Sequence, residues 1–417
     1  SLKSRTFLAE WSPLLLASRR LATNSLRPTM VSRTNWSEPN SSSALCQLCL
    51  DDQKRHVKRL PTVIYRDAIA PFLHFDEPIP GQLYAVGGRN RREGALATVE
   101  MFDTWHGKWV SCPPMLHRRA GCGGTVLNGR LVVAGGYDER GHVEGTLAEC
   151  ETFNPKTQSW MALPPLLVGR WGHGCAVLRG CVYVVGGCFL PDGKPPLEDF
   201  EETMRSCEVF DPRKGAWVKA PELNLPRAGA RVVALGDRCL LAFGGCDSDS
   251  AMASVELFDP EANRWTVLNT NMQSERSVAA CAALDGERVL VTGGYPALSS
   301  VEIFSVPIGE CGRGSLASSA TTCSAESMPV GRLGGQAVTI RLPACGGDHP
   351  ICDRPCVVVA GGEASEEPKG NTQAFADTLV YDIESDEWQP HGAFPRVPTP
   401  RTALALIVGP GQILGYP

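Results

Sequence analysis

The sequence predicts an all-β protein, a six-bladed β-propeller whose C-terminal strand closes the first blade. Three observations support this prediction. A Gly-Gly doublet ends an apolar run six times, an aromatic residue stands seven positions before a tryptophan in five of these units, and the last apolar run completes an otherwise partial first unit. Repeats with a period near 50 residues are typical of propellers, whose blades bury their faces only by stacking in a ring.

The Gly-Gly doublets recur at intervals of roughly 50 to 70 residues. They are Gly87-Gly88, Gly135-Gly136, Gly186-Gly187, Gly244-Gly245, Gly293-Gly294 and Gly361-Gly362. The apolar run before each doublet predicts a strand buried on both faces. The glycines predict a strand end where positive φ is needed or no side chain fits.

A glutamate, an aromatic residue and a tryptophan follow in fixed order. The aromatic pairs are Phe102/Trp109, Phe153/Trp160, Phe210/Trp217, Phe258/Trp265 and Tyr381/Trp388, and the glutamates are Glu100, Glu151, Glu208, Glu256 and Glu302. Turn residues between the two aromatic positions indicate that one strand reverses into the next. One unit therefore reads as strands over 121–127, 131–134, 150–154 and 159–163, with a tight hairpin turn at Asn128-Gly129.

The two ends of the repeat region are complementary. The first unit begins at Gly81 without a first strand, and the last run, 401–408, has no second strand after it. We therefore expect residues 401–408 to form the inner strand of blade 1. The fifth unit lacks its tryptophan and runs into a Ser/Thr-rich stretch that predicts a loop to about Ser327.

We predict three regions along the chain. Residues 1–43 are expected to be a disordered tail, residues 44–80 a short helical or linker segment, and residues 81–409 the propeller, with insertions near 307–328 and 341–355. The net charge of −5 and the absence of a basic cluster argue against nucleic-acid binding. No apolar run is long enough for a membrane span, and the 17 cysteines, several within apolar runs, favour a reducing, cytoplasmic setting.

The recurring pattern closely resembles the kelch repeat over roughly residues 81–409. This resemblance implies that a partner binds one face, built from the loops after each Gly-Gly doublet and before each first strand. The matching candidate residues are Arg89, Asn90, Arg119, Tyr137, Arg170, Arg227, Arg276, Tyr295, Arg332, Glu363 and Arg401, with Asp138, Cys246 and Asp247 beside them.

An arginine precedes the first strand of all six units, and this is the strongest functional signal. If the six side chains reach one rim, they would form a cationic ring suited to an acidic or phosphorylated peptide. In kelch-like substrate adaptors of cullin ubiquitin ligases, arginines at comparable positions read acidic peptides. The alternative is that each arginine pairs with a buried glutamate, such as Glu151, or with loop carbonyls.

The resemblance implies a protein-interaction platform, with substrate reception for a cullin ligase as one form. Residues 44–60 resemble the last linker helix of BTB–kelch adaptors, although the sequence contains no BTB domain. Actin or cytoskeletal scaffolding is the second hypothesis, because some kelch proteins bind actin. A sugar-processing enzyme is the third, because sialic-acid mutarotases have six kelch blades, but no nucleophile–base pair or cofactor motif is evident, so we expect neither enzyme activity nor a cofactor.

Metal binding is expected to be absent, although two groups of ligand-type residues occur. Cys345, His349, Cys352 and Cys356 lie in or beside the sixth-unit insertion, and Cys46, Cys49 and His56 lie near the N-terminus. The first spacing is too compact for common zinc fingers. Unpaired thiols in a loop explain it equally well.

Overall fold

Six four-stranded antiparallel sheets, with three additional two-stranded sheets, form the described part of the chain. The computed structural model describes residues 81–104, 107–189, 202–247, 250–307, 320–341, 355–364 and 373–409. The predicted tail, the 44–80 segment and most of the two predicted insertions lie outside these residues. Within them, the prediction of an all-β six-bladed propeller is confirmed.

Thirty strands and one short helix make up the described residues. The first ten are β1 (Gln82–Val86), β2 (Arg89–Asn90), β3 (Gly94–Ala95), β4 (Val99–Asp103), β5 (Lys108–Cys112), β6 (Gly123–Leu127), β7 (Arg130–Ala134), β8 (Cys150–Asn154), β9 (Ser159–Leu163) and β10 (Gly174–Leu178), with helix α1 (Gly141–Glu144) before β8. The next ten are β11 (Cys181–Val185), β12 (Cys188–Phe189), β13 (Glu202–Thr203), β14 (Cys207–Asp211), β15 (Ala216–Ala220), β16 (Arg231–Leu235), β17 (Cys239–Phe243), β18 (Val255–Asp259), β19 (Arg264–Val267) and β20 (Arg276–Ser277). The last ten are β21 (Ala280–Ala283), β22 (Arg288–Thr292), β23 (Tyr295–Pro296), β24 (Val301–Ser305), β25 (Thr321–Ala325), β26 (Gln336–Arg341), β27 (Pro355–Ala360), β28 (Thr378–Asp382), β29 (Glu387–Trp388) and β30 (Ala405–Gly409).

Each blade takes its strands in sequence order from the inside outwards, except the first. The blades are β30-β1-β4-β5, β6-β7-β8-β9, β10-β11-β14-β15, β16-β17-β18-β19, β21-β22-β24-β25 and β26-β27-β28-β29, which we number 1 to 6. In blade 1, β30 pairs with β1 so that Gln82 lies opposite Gly409 and Val86 opposite Ala405. The predicted closure by the C-terminal strand is thus confirmed.

Blade 2 illustrates how the sequence determines the strands. Asn128 and Gly129 both have positive φ, 49° and 72°, as a tight hairpin turn between twisted strands requires. In β7, Leu131 and Val133 are fully buried because the second strand lies between neighbouring strands and neighbouring blades. Phe153 lies opposite Trp160 across β8 and β9, so the seven-residue spacing is the register of one antiparallel pair.

The repeated tryptophans join adjacent blades. The Trp160 indole packs 5.0 Å from the Phe153 ring of its own blade, and its Nε1–H donates to the carbonyl of Pro113 in blade 1 at 2.9 Å. Corresponding bonds, 2.8–3.1 Å long, come from Trp109, Trp217, Trp265 and Trp388. Each indole thus buries apolar surface while its N–H remains hydrogen-bonded, and the tryptophans belong to the interblade core.

The fifth blade differs from the prediction. The Ser/Thr-rich stretch expected to be a loop contains strand β25, in which Thr322 lies opposite Phe304, where other blades have tryptophan. β-branched threonine is favourable in an edge strand. The strand also forms without the tryptophan, because the hydrogen bonds between strands come from backbone groups and not from an indole. In blade 6, the predicted insertion falls between β26 and β27, outside the described residues.

A closed ring of backbone hydrogen bonds surrounds the propeller axis at one end of the inner strands. Its members are Gly121, Gly172, Gly229, Val278, Gly334 and Ala403, one per blade, and each N–H donates to the carbonyl of the previous member at 2.7–3.0 Å. All six have positive φ, between 49° and 68°. We call this the axial ring. Four members are glycine, whereas Val278 and Ala403 adopt a conformation that L side chains disfavour.

Replacing Val278 by glycine is expected to stabilise the protein. A β-branched residue at φ 49° costs about 1–2 kcal/mol, while the added freedom of glycine in the unfolded chain returns about 0.5–1 kcal/mol. Val278→Gly should therefore raise the free energy of unfolding by about 0.5–1 kcal/mol, measured by urea denaturation.

The matched control is Ala279→Gly, one residue along the chain, where φ is negative and the side chain is buried. This change should destabilise the protein. A loss of stability in Val278→Gly equal to that in Ala279→Gly would contradict the strain assigned to Val278.

Candidate functional site

The six pre-strand arginines are buried. Their exposed fractions are 0–1% for Arg119, Arg170, Arg227, Arg276, Arg332 and Arg401. Arg227 shows the arrangement: Nη1 donates to the carbonyls of Gly244 at 2.7 Å and Ser254 at 3.0 Å, and Nε donates to Glu256 Oε1 at 3.0 Å. Nη2 donates to Ser254 Oγ at 2.8 Å, so all three guanidinium nitrogens bond to groups of their own blade.

The same arginines also contact the preceding blade through their backbone. The Arg227 carbonyl accepts a hydrogen bond from the N–H of Gly187, the second glycine of the blade 3 doublet, at 2.8 Å. A Cβ on Gly186 would lie 2.5 Å from that carbonyl oxygen. The first glycine of each doublet thus allows the close approach, and its own carbonyl receives the arginine of the preceding loop.

Each arginine has one carboxylate partner in its own blade. The partners of Arg119, Arg170, Arg227, Arg276, Arg332 and Arg401 are Glu151, Glu208, Glu256, Glu302, Asp377 and Glu100. Asp377 is the one that the sequence pattern missed, because blade 6 has Leu379 at the glutamate position. In the sequence, the only indication that the carboxylate partner in blade 6 differs was the absence of a sixth repeated glutamate.

These contacts correct one expectation. The six arginines do not form an exposed cationic ring, since their guanidinium groups lie inside the blades and are neutralised there. Each arginine recurs at a fixed place in its blade, where a carboxylate accepts hydrogen bonds from the guanidinium. A position in a loop therefore does not by itself make the guanidinium accessible. The remaining candidates lie in the loops after the Gly-Gly doublets.

These loops share one end of the propeller with the axial ring, and we call this end the loop face. There Arg89 of blade 1 pairs with Glu363 of blade 6, Nη2 to Oε1 3.1 Å. Asn90 Oδ1 accepts the N–H groups of Arg92 and Glu93 at 3.0 and 2.8 Å, which fixes its own turn. Arg89 remains half exposed, whereas Glu363 is mostly buried.

An aromatic cluster lies between the loops of blades 2 and 3. Tyr137 lies 5.8 Å edge-on from both the His142 and the Trp171 rings, and the last two are 5.3 Å apart. His142 is exposed and the other two are half-buried. The sequence pattern identified Tyr137 only, because His142 and Trp171 are not repeated in other blades.

The other candidates are separate from this cluster. Tyr295 is 46% exposed in blade 5. Asp138 pairs with Arg140 at 2.8 Å, Asp247 accepts the N–H of Ser250 at 2.9 Å, and Cys246 donates weakly to the Ala228 carbonyl. The structure therefore distributes the candidates around the loop face and gathers only Tyr137 with aromatic neighbours.

Of the metal-type residues, only Cys356 is described. It is fully buried in β27, its thiol contacts the Ile340 carbonyl at 3.5 Å, and burial raises its pKa to about 12. Cys345, His349, Cys352, Cys46, Cys49 and His56 lie outside the described residues. In the portion of the chain that is described, no three His, Cys, Asp or Glu side chains are grouped to hold a metal ion.

The described residues contain no helix long and apolar enough to cross a membrane.

Removing the charge of one buried partner should be costly. Glu256→Gln would leave Arg227 charged and buried, and breaking such a pair typically costs about 3–5 kcal/mol. We expect a loss of this size in the free energy of unfolding by urea denaturation. Arg213→Gln, which removes an arginine that is 83% exposed from its pair with Asp211, is the control and should cause no measurable loss. Equal effects of the two changes would refute the structural role of Arg227.

Stability should depend on His173 below neutral pH. Its Nε2 accepts the Gly123 N–H at 3.1 Å, and burial, followed by the Arg170 charge, lowers its pKa from 6.5 to about 3. The unfolded chain therefore binds a proton below pH 6.5 that the folded chain rejects, so stability falls as pH decreases from 6.5 towards 3 by up to about 1.4 kcal/mol per pH unit.

Urea denaturation of the native chain and His173→Gln from pH 7 to 4.5 tests this dependence. The difference in unfolding free energy between them should shift in favour of the variant as pH falls. Parallel pH curves would show that His173 does not contribute.

Comparisons with known proteins agree with this architecture. A family model described as the KLHDC2/KLHL20/DRC7 Kelch-repeats domain matches residues 77–294. The solved structure titled "Structure of YjhT" aligns with a TM-score of 0.54 over 75% of this chain and 97% of that one, and its 17% identity supports the fold alone.

Relatives share a quarter or more of the aligned residues. Kelch-like protein 25 of Xenopus tropicalis is 26% identical over 219 residues, 51% of this chain and 35% of that protein. Kelch-like protein 36 of Rattus norvegicus is 27% identical over 52% of this chain and 34% of that protein, and alpha-scruin of Limulus polyphemus is 28% identical over 53% and 24%. The chain thus spans about a third of the length of the Kelch-like relatives. With a family model covering more than half of it, this chain belongs to the kelch-repeat family.

Proposed function

We propose that the propeller is a protein-interaction platform that binds a partner peptide on the loop face, and that it is not an enzyme. The observation that supports this most is where the exposed apolar side chains lie. Among the described residues, Met161, Val218 and Val267 are exposed on the outer strands, but a larger group lies elsewhere: Leu116, Leu167, Val168 and Leu225 are 36–54% exposed. All four lie in loops before inner strands, on the same face as Tyr137 and Tyr295.

Such a distribution suits a protein partner. Exposed apolar and aromatic groups at one face of a rigid scaffold are typical of interaction sites. The aromatic cluster of Tyr137, His142 and Trp171 would supply an anchor, and Arg89, between blades 1 and 6, would supply a half-exposed charge. A partner with apolar side chains and an acidic group near Arg89 fits this surface best.

As the finer form of this proposal, the chain is the substrate-binding part of a cullin-type ubiquitin ligase adaptor. Its similarity to Kelch-like proteins supports this form. The similarity to alpha-scruin favours an actin or cytoskeletal scaffold as the second candidate. The mutarotase-like hypothesis keeps only the shared fold in its favour.

An affinity capture with mass spectrometry tests the loop face. The tagged chain is compared with a face variant, Tyr137→Ala with Leu167→Ser, and with a control, Met161→Ser with Val218→Ser. The control removes equally exposed apolar groups from the outer strands β9 and β15. We expect the face variant to retain less than a tenth of the captured partner and the control to retain all of it.

Equal capture by the native chain and the face variant would overturn the proposal. Cullin subunits in the eluate would support the adaptor form, and co-sedimentation with actin filaments would support the scaffold. A saturable sugar site in the purified chain, with catalytic turnover, would establish the enzyme hypothesis instead.

A further inference from the structure

The inner strands enclose a cavity that contains an unusual arginine. The cavity has a volume of about 410 Å³ and is lined by all six inner strands, a size suited to small molecules. Arg231 begins β16, opposite Phe243. The same position in the other inner strands holds glycine, alanine or, in β26, Gln336. Arg231 is therefore the one cation among the residues that line this cavity.

The Arg231 guanidinium is held in place by neutral acceptors. Nε donates to the Ala279 carbonyl at 2.5 Å. With the Gln336 amide oriented by its hydrogen bonds, its oxygen accepts from Nη1 at 2.8 Å and from Nη2 at 3.0 Å. Nη2 also donates to the Gly335 carbonyl at 3.5 Å. These contacts use four of the five N–H donors of the guanidinium, so one donor remains for a ligand.

No anionic group of the described protein compensates this charge. Each pre-strand arginine has a carboxylate, but Arg231 has no ion pair with one, and burial lowers its pKa to about 10, so it stays charged at pH 7. The neighbouring thiols stay protonated, because burial raises the pKa of Cys122 to about 11 and that of Cys281 to about 12. Arg231 is partly buried, and a cation that is partly removed from water without a carboxylate partner favours an anionic ligand.

The strand register determines which part of a ligand would lie where. The axial ring surrounds the axis just before the inner strands begin, so Arg231 lies at the ring end of the cavity. Three residues further along, about 10 Å away, the lining is almost wholly apolar. This tier consists of Val126, Val177, Ala234, Ala283, Thr339 and Val408, all of them partly exposed and lining the cavity.

We propose that this cavity, which we call the channel, binds a small aliphatic monocarboxylate. The carboxylate would lie on Arg231 and the aliphatic chain against the apolar tier. One guanidinium neutralises one negative charge, so a dianion would retain an uncompensated charge in the channel. A sugar would find few hydrogen-bonding groups along the apolar tier. The site is distinct from the loop face and does not depend on the function proposed for it.

Isothermal titration calorimetry on the purified full chain tests the proposal, with hexanoate as the probe at pH 7 and constant ionic strength. We expect saturable binding that weakens about fourfold for each CH₂ removed from the chain. Hexanamide, the neutral isostere, should bind at least ten times more weakly. Chloride or phosphate binding as tightly as hexanoate would overturn the proposal, because charge alone would then explain it.

Three variants locate the site. Arg231→Met should weaken hexanoate binding at least tenfold, and Arg213→Gln, which removes a charge at the end of the blades opposite the loop face, should leave it unchanged. Ala234→Leu narrows the apolar tier without touching Arg231 and should also weaken binding, so it decides the matter if Arg231→Met does not fold. Unchanged affinity in a folded Arg231→Met or in Ala234→Leu would refute the site.

A carboxylate could also come from an acidic side chain of a partner protein. Calorimetry on the chain alone separates the two sources. Hexanoate binding without a partner supports the free ligand, and a chain that binds no free carboxylate overturns the proposal even if Arg231→Met abolishes partner capture.

Discussion

One arginine per blade holds the propeller together. Its carbonyl bonds the second glycine of the preceding blade, while its guanidinium bonds the first glycine carbonyl and a carboxylate of its own blade. A planar group with several fixed donors can satisfy these acceptors at once without water. The glycine doublets follow from the same contact, because a side chain on either glycine would collide with backbone groups that the arginine brings close.

The fold could be predicted from the sequence because this contact recurs with a fixed period. Strands β8 and β9 are predicted to the residue, since Phe153 and Trp160 are register partners. The burial of the arginines could not be predicted from their loop position, which is equally compatible with a surface role. Their repetition in step with five glutamates was the informative signal. Strand β25 was missed because it lies in a Ser/Thr-rich stretch, and such a composition is also typical of loops.

The candidate sites depend instead on residues that break the repeat. Trp171 and His142 occur in single blades, so the periodic pattern does not single them out. Arg231 becomes conspicuous only when the inner strands are aligned by register and the other five positions prove to be small or neutral. Repeated residues build the scaffold and unrepeated ones are free to vary, so binding in such folds is expected at the exceptions. The loop face and the channel lie on either side of the axial ring.

The seam in blade 1 has a consequence for chain topology. Gln82 and Gly409 lie opposite each other on adjacent strands, so the two ends of the propeller sequence meet in one sheet. The ring then has no structurally privileged starting point. A circular permutant, in which a short linker joins these ends and the chain opens in an exposed loop between two other blades, would retain every interblade contact. The order of the blades around the ring, rather than the position of the break, specifies this architecture.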